Sequence, residues 1–295
     1  MIEVVVVQLQ GGLGNQLFQY AAGRSIALRT QTELRLDLGQ LRRGAYRPYR
    51  LEVFGLPAQP AGKSDVPFEF RQPHRSPLAR KVFAYLPLSP LRRNASGPHV
   101  VREMGFAFDE GVTRSSGDVY LVGFWQSAQY FEDVAEVIRS DLALSPQRAG
   151  VGATLASELH QEGTVSVHVR RGDYVDYALM SPCSTAYYER ALEELGAHAT
   201  LSKVYVFSDD IEWARQELRF ATPTVFMSEA DAGSDIADFF LMSQCQHHVI
   251  ANSSFSWWAA WLGRHADGHV VAPSHWFNDA TMDTRDLRPK DWLVL

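Results

Sequence analysis

The chain has 295 residues, of which 46% are hydrophobic and 21% charged, both close to globular averages. A chain of this length buries most of its apolar surface, which excludes a disordered protein and a small disulfide scaffold. The formal net charge of −6 argues against a broad nucleic-acid-binding surface but allows a local basic pocket. No apolar run approaches the length of a membrane span, and the two lone cysteines fit a reducing compartment, so we expect a cytoplasmic protein without a transmembrane segment.

The first half of the chain opens with a βαβ-like pattern. It predicts a strand over 2–7, a glycine turn, a helix over 15–29 and a strand over 33–37. From about residue 40 to 117, repeated prolines break any long element and predict irregular structure with short helices. A strand over 119–122 and a helix over 128–142 follow.

The second half of the chain alternates cleanly between strands and helices. We place a domain boundary in the segment 145–150, which divides the chain into 1–146 and 147–295. Strands are predicted over 164–169, 203–207, 224–227, 248–251 and 269–271, and helices over 185–195, 211–218, 235–244 and 255–263. This alternation predicts a parallel, doubly wound sheet.

The first candidate site is the glycine turn before the first helix. Glycines there let backbone N–H groups approach an anion at a helix N-terminus. Gly12 and Gly14 match two positions of the dinucleotide-binding fingerprint, and Asp37 follows the second strand as a ribose-binding acid would. Leu17 stands where the third glycine belongs, which weakens that match. Asn15 either caps the helix or faces a cleft and binds a polar substrate.

The second candidate site is the sequence His-Val-Arg-Arg-Gly-Asp-Tyr at the end of a predicted strand, where open α/β sheets bind ligands. Arginine pairs with phosphate oxygens through two hydrogen bonds and stays charged, so Arg170 and Arg171 suit a diphosphate. Strand geometry puts His168 and Arg170 on the same side. The structural alternative is a surface ion pair between Asp173 and Arg171.

Two further strands also end in polar residues. Asp209 and Asp210 could hydrogen-bond a purine or a ribose, although Asp210 also suits a helix N-cap. Asn252, Ser253 and Ser254 offer hydroxyl and N–H groups to phosphate oxygens. The tryptophans that follow are interpreted as core residues: Trp257, Trp258 and Trp261.

Several other chemistries lack their sequence signals. The chain has no P-loop sequence, no H-E-x-x-H, no paired C-x-x-C and no G-x-S-x-G. It also has no strict D-x-D, which counts against a sugar-nucleotide site built on Mg²⁺ or Mn²⁺. The sequence therefore contains no recognisable metal site.

Three segments carry a family resemblance and occur in one order: GGLGNQLFQYA at 11–21, HVRRGDY at 168–174 and NSSFSWWAAWL at 252–262. Together they resemble the α-1,2-fucosyltransferases of glycosyltransferase family 11. The resemblance implies an α/β, GT-B-like fold, in which two Rossmann-like domains face each other across a cleft. The first domain would lie on the acceptor side, and the second would bind GDP-fucose.

The resemblance also implies roles for individual residues. Arg170 matches the arginine that holds the donor diphosphate, and His168 would lie near the nucleoside. Wider similarity among fucosyltransferases places an acid on guanine, and Asp209 or Asp210 would have that role. The remaining donor-site candidates are Arg171, Asn252, Ser253, Ser254 and Phe255 on one wall, and Gly12 and Gly14 on the other. Together with Asn15, these glycines match the first motif and would lie near the fucose and the acceptor.

The implied reaction moves L-fucose from GDP-β-L-fucose to the 2-hydroxyl of a terminal galactose, with inversion and without a metal or another cofactor. Arg170 would stabilise the charge that develops on the leaving diphosphate. Asp173 is the first candidate for the general base, and Asn15 is the third catalytic candidate. The expected partners are GDP-fucose and a galactose-terminated oligosaccharide or lipid-linked glycan, with no nucleic acid. Peripheral membrane contact and the oligomeric state stay open.

Two other functions are kept as alternatives. An NAD(P)-dependent oxidoreductase would use the turn at Gly12 and Gly14, although the arginine motif in the other half argues against it. A sugar-nucleotide-binding protein without turnover would use the same donor site.

Overall fold

A computed structural model gives the fold and describes residues 3–42, 47–71, 98–176, 178–228, 233–263, 265 and 267–295. The start of the first predicted strand, at Ile2, and parts of the Pro-rich stretch, 43–46 and 72–97, lie outside the described residues. Within the described ranges the chain folds around two parallel β-sheets, one from each half of the sequence.

The first sheet has 5 strands. They are β1 (Val4–Gln8), β2 (Glu33–Asp37), β3 (Gln59–Pro60), β4 (His99–Arg102) and β5 (Val119–Val122). Their order is β3-β2-β1-β5-β4, and every pair is parallel. The central strand β1 reads as a continuous apolar run because both faces of the sheet are covered, and Val5, Val6 and Val7 are fully buried.

The second sheet has 6 strands. They are β6 (Thr164–Val169), β7 (Lys203–Ser208), β8 (Thr224–Phe226), β9 (His247–Val249), β10 (Val270–Ala272) and β11 (Leu293–Val294). Their order is β11-β10-β9-β6-β7-β8, again with parallel pairing throughout. The carboxyl end of β6 therefore lies in the middle of one sheet edge.

Helices cover the two sheets. They are α1 (Leu13–Thr30), α2 (Gly39–Arg42), α3 (Phe68–Arg71), α4 (Glu110–Thr113), α5 (Ala135–Asp141), α6 (Pro146–Ala149), α7 (Ala153–Leu159), α8 (Thr185–His198), α9 (Ile211–Glu217), α10 (Asp235–Gln244) and α11 (Ser254–Leu262). Single 3₁₀ turns occur at Leu51–Phe54, Ala128–Tyr130, Glu132–Val134 and Gly172–Tyr174. None of the helices in the described ranges is long and apolar enough to cross a membrane.

Helices α1 and α11 join the two halves. The ring of Phe18 in α1 lies with its centroid 4.4 Å from Trp257 and 5.0 Å from Trp258 in α11. Both tryptophans are fully buried, which confirms that they are core residues. A Cβ on Gly14 would lie 2.6 Å from the backbone nitrogen of Phe255 and closer still to Ser254, so only glycine allows the two helix starts to meet.

The first half contains the main departures from the predicted elements. Strand β4 lies within the stretch predicted to be irregular, because four residues after a proline carry too little periodicity to identify an edge strand. The helix predicted over 128–142 forms only in its second half, as α5, and two 3₁₀ turns take the place of the first half. The segment 145–150 forms α6, with Ser145 as N-cap, and the domain boundary within it stays a prediction.

Candidate active site

A cleft of about 500 Å³ lies between the carboxyl ends of β1 and β6. This placement follows from the topology, because parallel strands direct their carboxyl ends to one sheet edge. The cleft brings together most of the candidate residues from both halves: Gly12, Gly14, Asn15, His168, Arg170, Asp173, Asp209, Ser253, Ser254 and Phe255. Arg171, Asp210 and Asn252 do not line it.

Arg170 is held from two sides at the end of β6. Its Nη1 lies 2.8 Å from Asp209 Oδ2, and its Nη2 pairs with Asp173 Oδ1. The other oxygen of Asp209 accepts the backbone N–H of Arg171 at 2.9 Å. A Cβ on Gly172 would collide with the Asp209 carboxylate, so the glycine leaves room for this carboxylate. The guanidinium is thereby fixed in the cleft, with 19% of the side chain exposed.

Arg171 lies two residues beyond the end of β6 and does not line the cleft. Its guanidinium carbon lies 3.9 Å from the ring centroid of Trp213, and its Nε lies 3.3 Å from Asp210 Oδ2. The other oxygen of Asp210 accepts the backbone N–H of Trp213, which makes Asp210 the N-cap of α9. Arg171 was predicted as a diphosphate ligand, but it forms the alternative surface ion pair, with Asp210 rather than Asp173 as its acid.

Asn252 is a structural residue behind the cleft. Its amide nitrogen donates to the carbonyls of Ser181 at 3.0 Å and Trp276 at 3.1 Å. The backbone carbonyl of Asn252 accepts a hydrogen bond from the hydroxyl of Tyr174 at 3.3 Å. These bonds fix the chain just before Ser253, whose hydroxyl caps α11 by accepting the backbone N–H of Phe255.

His168 forms the apolar end of the cleft with Phe255, whose ring centroid lies 5.6 Å from that of the imidazole. Burial, and then the charge of Arg170, lowers the pKa of His168 to about 3, so the ring is neutral at physiological pH. Its Nδ1 is buried and has no hydrogen-bond partner in the described part of the chain. The imidazole is thus a neutral, polar surface on an otherwise apolar wall.

Asp238, in α10, is a cleft residue that the sequence interpretation missed. Burial, and then the neighbouring charge of Asp235, raises the pKa of Asp238 to about 7. Its carboxylate makes no hydrogen bond or ion pair with any other described residue. The i, i+3 spacing of the two acids at a helix start was the available signal, since it puts both on one face.

The wall from the first half is built around the glycine turn. Gly11 has a φ of +78°, which favours glycine. Buried Gln16 fixes this turn by donating to the carbonyls of Gly11 at 2.9 Å and Pro48 at 2.8 Å. Asn15 lies in the cleft and accepts a hydrogen bond of 2.7 Å from Gln126. The segment 47–50 is therefore held along the rim of the cleft.

Two arginines of that segment also line the cleft and were missed. Arg47 Nη2 lies 3.0 Å from Asp173 Oδ2, and Arg50 pairs with Asp235. Both ion pairs link the first half to the second. No local pattern identifies these arginines, because they lie in a Pro-interrupted stretch without periodicity.

Asp37, the ribose-binding candidate of the oxidoreductase alternative, forms its hydrogen bonds outside the cleft. Its carboxylate accepts the hydroxyl of Tyr120 at 2.6 Å and the backbone N–H of Gly39 at 2.8 Å, and it does not line the cleft. Among the described residues, no three His, Cys, Asp or Glu side chains are grouped so that they could hold a metal ion.

Two parallel sheets, one from each half of the chain, that border a common cleft define a GT-B-like fold, and a solved structure agrees. Fucosyltransferase NodZ from Bradyrhizobium superposes with a TM-score of 0.51 at 15% identity, over 88% of this chain and 92% of that one. This similarity concerns the fold alone. The predicted fold class is confirmed.

Sequence relatives then identify the family. The profile of glycosyl transferase family 11 matches residues 108–295, more than half of the chain. An α-1,2-colitosyltransferase of Escherichia coli is 29% identical over 99% of both chains, and the O-antigen biosynthesis glycosyltransferase WbnK of Escherichia coli is 28% identical over 97% of this chain and 99% of that one. Galactoside α-(1,2)-fucosyltransferase 1 of Lagothrix lagotricha is 27% identical over 85% of this chain and 63% of its own length. The chain belongs to glycosyl transferase family 11 and is a fucosyltransferase-like enzyme.

Proposed function

We propose that this enzyme transfers L-fucose from GDP-β-L-fucose to the 2-hydroxyl of a terminal galactose, with inversion and without a metal ion. The observation that carries the proposal is Arg170, fixed by Asp209 and Asp173 in a cleft that both halves line. A fixed guanidinium at a strand end suits the diphosphate of a sugar nucleotide.

The nucleobase fits the part of the cleft lined by the adjacent rings of His168 and Phe255, and Asp238 lines the same cleft. A carboxylate accepts two parallel N–H groups, and guanine presents two on its Watson–Crick edge. Asp209 is already bonded to Arg170 and to the backbone of Arg171, whereas Asp238 makes no such bonds with the described residues. We therefore assign guanine to Asp238 in place of Asp209 or Asp210.

The diphosphate lies between Arg170 and the N-terminus of α11 in this proposal. Ser253 and Ser254 stand at that N-terminus, where unpaired N–H groups and the helix dipole favour an anion. Negative charge grows on the diphosphate as the bond to fucose breaks. Donors that are already oriented stabilise this charge without reorganisation, which is the role that a metal ion has in other enzymes.

The acceptor approaches from the wall of the first half, near Gly12 and Asn15. Its hydroxyl attacks the face opposite the leaving group, which inverts the configuration. Asp173 remains the first candidate for the general base. Both of its oxygens are paired with arginines, so it has to leave at least one of them before it accepts a proton.

A second donor is favoured by one observation. The α-1,2-colitosyltransferase of Escherichia coli aligns over 99% of this chain. Colitose lacks the 3-hydroxyl of L-fucose and is otherwise the same sugar. The same cleft would bind its GDP derivative, and the two donors differ only in the hydrogen bonds of that hydroxyl.

The experiment is a measurement of GDP release from GDP-fucose and from GDP-colitose, with galactose-terminated oligosaccharides as acceptors and EDTA present. We expect acceptor-dependent release from GDP-fucose. Faster turnover of GDP-colitose would make it the donor in place of GDP-fucose. A requirement for added Mn²⁺ would contradict the metal-free reaction. Stabilisation by NAD⁺ and not by GDP in a thermal-shift assay would contradict the nucleotide.

A further inference from the structure

Arg47 belongs to the first half of the chain but reaches across the cleft. Its Nη2 lies 3.0 Å from Asp173 Oδ2, while the other oxygen of Asp173 pairs with Arg170. Its Cδ lies 4.0 Å from the place of a Cβ on Gly12, so the arginine also borders the glycine turn. One carboxylate thus bridges two guanidinium groups from opposite walls of the donor cleft.

This cluster is electrically balanced without a ligand. Two arginines, Arg47 and Arg170, face two carboxylates, Asp173 and Asp209. A nucleoside diphosphate brings further negative charge into the same partly desolvated space, where like charges repel more strongly than in water. The balance is restored most simply if one carboxylate leaves its arginines.

Asp173 is the carboxylate that can leave. Its side chain is 41% exposed and belongs to the single turn Gly172–Tyr174, so a rotation carries it into solvent. Asp209 is 25% exposed and also accepts the backbone N–H of Arg171. Removing Asp209 would leave that N–H without its partner, which costs free energy that the rotation of Asp173 does not.

We propose that Arg47 is a diphosphate-binding residue contributed by the acceptor wall, and that Asp173 occupies the anion position between Arg47 and Arg170 until the donor displaces it. The inference rests on the proposed function, because it needs a nucleoside diphosphate in this cleft. Donor binding then ties the two walls together through one ligand. It also frees the Asp173 carboxylate from its arginines, as a role in proton transfer requires.

The test is calorimetric titration of the full chain with GDP and with guanosine. Arg47→Ala should weaken GDP binding by about 10- to 100-fold, since a charge-assisted contact is lost, and leave guanosine binding unchanged. Arg47→Lys should bind GDP more weakly than the wild type but more tightly than Arg47→Ala. Lysine keeps the positive charge but cannot form the two parallel hydrogen bonds of a guanidinium group. Asp173→Asn should tighten GDP binding by about 3- to 10-fold, because the competing internal anion is removed.

Arg35→Ala is the matched control. Arg35 is also ion-paired, with Glu33 and Asp65, but does not line the cleft, and its loss should leave GDP binding unchanged. Unchanged GDP binding by Arg47→Ala and Arg47→Lys would overturn the role of Arg47, and so would an equal loss for guanosine. Weaker GDP binding by Asp173→Asn would overturn the proposed displacement of Asp173 by the donor. Failure of the wild-type chain to bind GDP would instead overturn the proposed donor, and with it the displacement of Asp173.

Discussion

Arg170 and Arg171 are neighbours in the chain, yet their guanidinium groups have different surroundings. Arg170 is held in the cleft by Asp209, while Arg171 stacks on Trp213 outside it. The sequence predicted both as diphosphate ligands, because both are arginines that follow the end of the same strand. Only the folded structure shows that Arg170 lines the cleft and Arg171 does not.

The pair provides a matched test of the diphosphate site. Arg170→Ala should lower kcat/KM by at least about 100-fold, because it removes a charge contact that strengthens as the leaving group departs. Arg171→Ala should lower it by less than about 3-fold, as expected for a residue outside the cleft. Steady-state kinetics of both variants checks this, with melting curves to confirm folding. Equal losses from the two would contradict the assignment.

Asp238 combines a cost to stability with the proposed binding of guanine. Its pKa rises from 3.8 to about 7, so the folded chain holds this proton more tightly than the unfolded chain does. The contribution of Asp238 to stability is therefore present below pH 3.8 and is lost as the pH rises to about 7. Without donor, Asp238→Asn should be more stable than the wild type at pH 8 by about 1–3 kcal/mol.

The same substitution should weaken GDP binding by at least about 10-fold, because an amide cannot accept both N–H groups of guanine. Urea unfolding at pH 5 and pH 8, together with GDP titration, measures the two effects. The stability gain should shrink at pH 5. A variant that loses stability at pH 8, or binds GDP normally, would rule out this description of Asp238.

At the scale of elements, the contact between the N-termini of α1 and α11 positions the site. Gly14→Ala puts a methyl group against the backbone of Ser254 and Phe255, where nothing flexible can yield. We expect a loss of about 2–5 kcal/mol in the free energy of unfolding, together with weaker GDP binding.

The control for this substitution is Gly196→Ala in α8. A Cβ at that position has no neighbour within 4 Å, so the change should raise stability by up to about 1 kcal/mol through helix propensity. Thermal unfolding of both variants makes the comparison. Equal stability of Gly14→Ala and the wild type would contradict the close approach of the two helices.

The elements of the second half followed from the sequence because each is marked locally. Strands such as β7 are mostly apolar runs followed by polar residues, and helices such as α10 follow a capping serine, here Ser234. Strand β4 and the segment 47–50 were not predicted, because tertiary contacts and not local pattern hold them. The site residues missed there, Arg47 and Arg50, are those that act across the cleft.

At the scale of the whole molecule, the largest hydrophobic cluster joins the two halves, beside a second cluster within the second half and a small one within the first. Buried residues of both halves belong to the largest cluster, in which Phe18 meets Trp257 and Trp258. Separate unfolding of the halves would expose these rings, so we expect one cooperative transition in calorimetry. The fragments 1–146 and 147–295 should not fold alone. Two resolved transitions, or a folded fragment, would contradict the shared core.

The proposed transfer of L-fucose from GDP-fucose to galactose can be observed directly by proton NMR of the purified protein with GDP-fucose, lactose and EDTA. We predict a new α-fucosyl anomeric signal, with the linkage at position 2 of galactose. Hydrolysis of GDP-fucose without this product would support GDP-fucose as the donor and contradict galactose as the acceptor. An unchanged spectrum, in a protein that GDP does not stabilise, would contradict the proposed transfer itself.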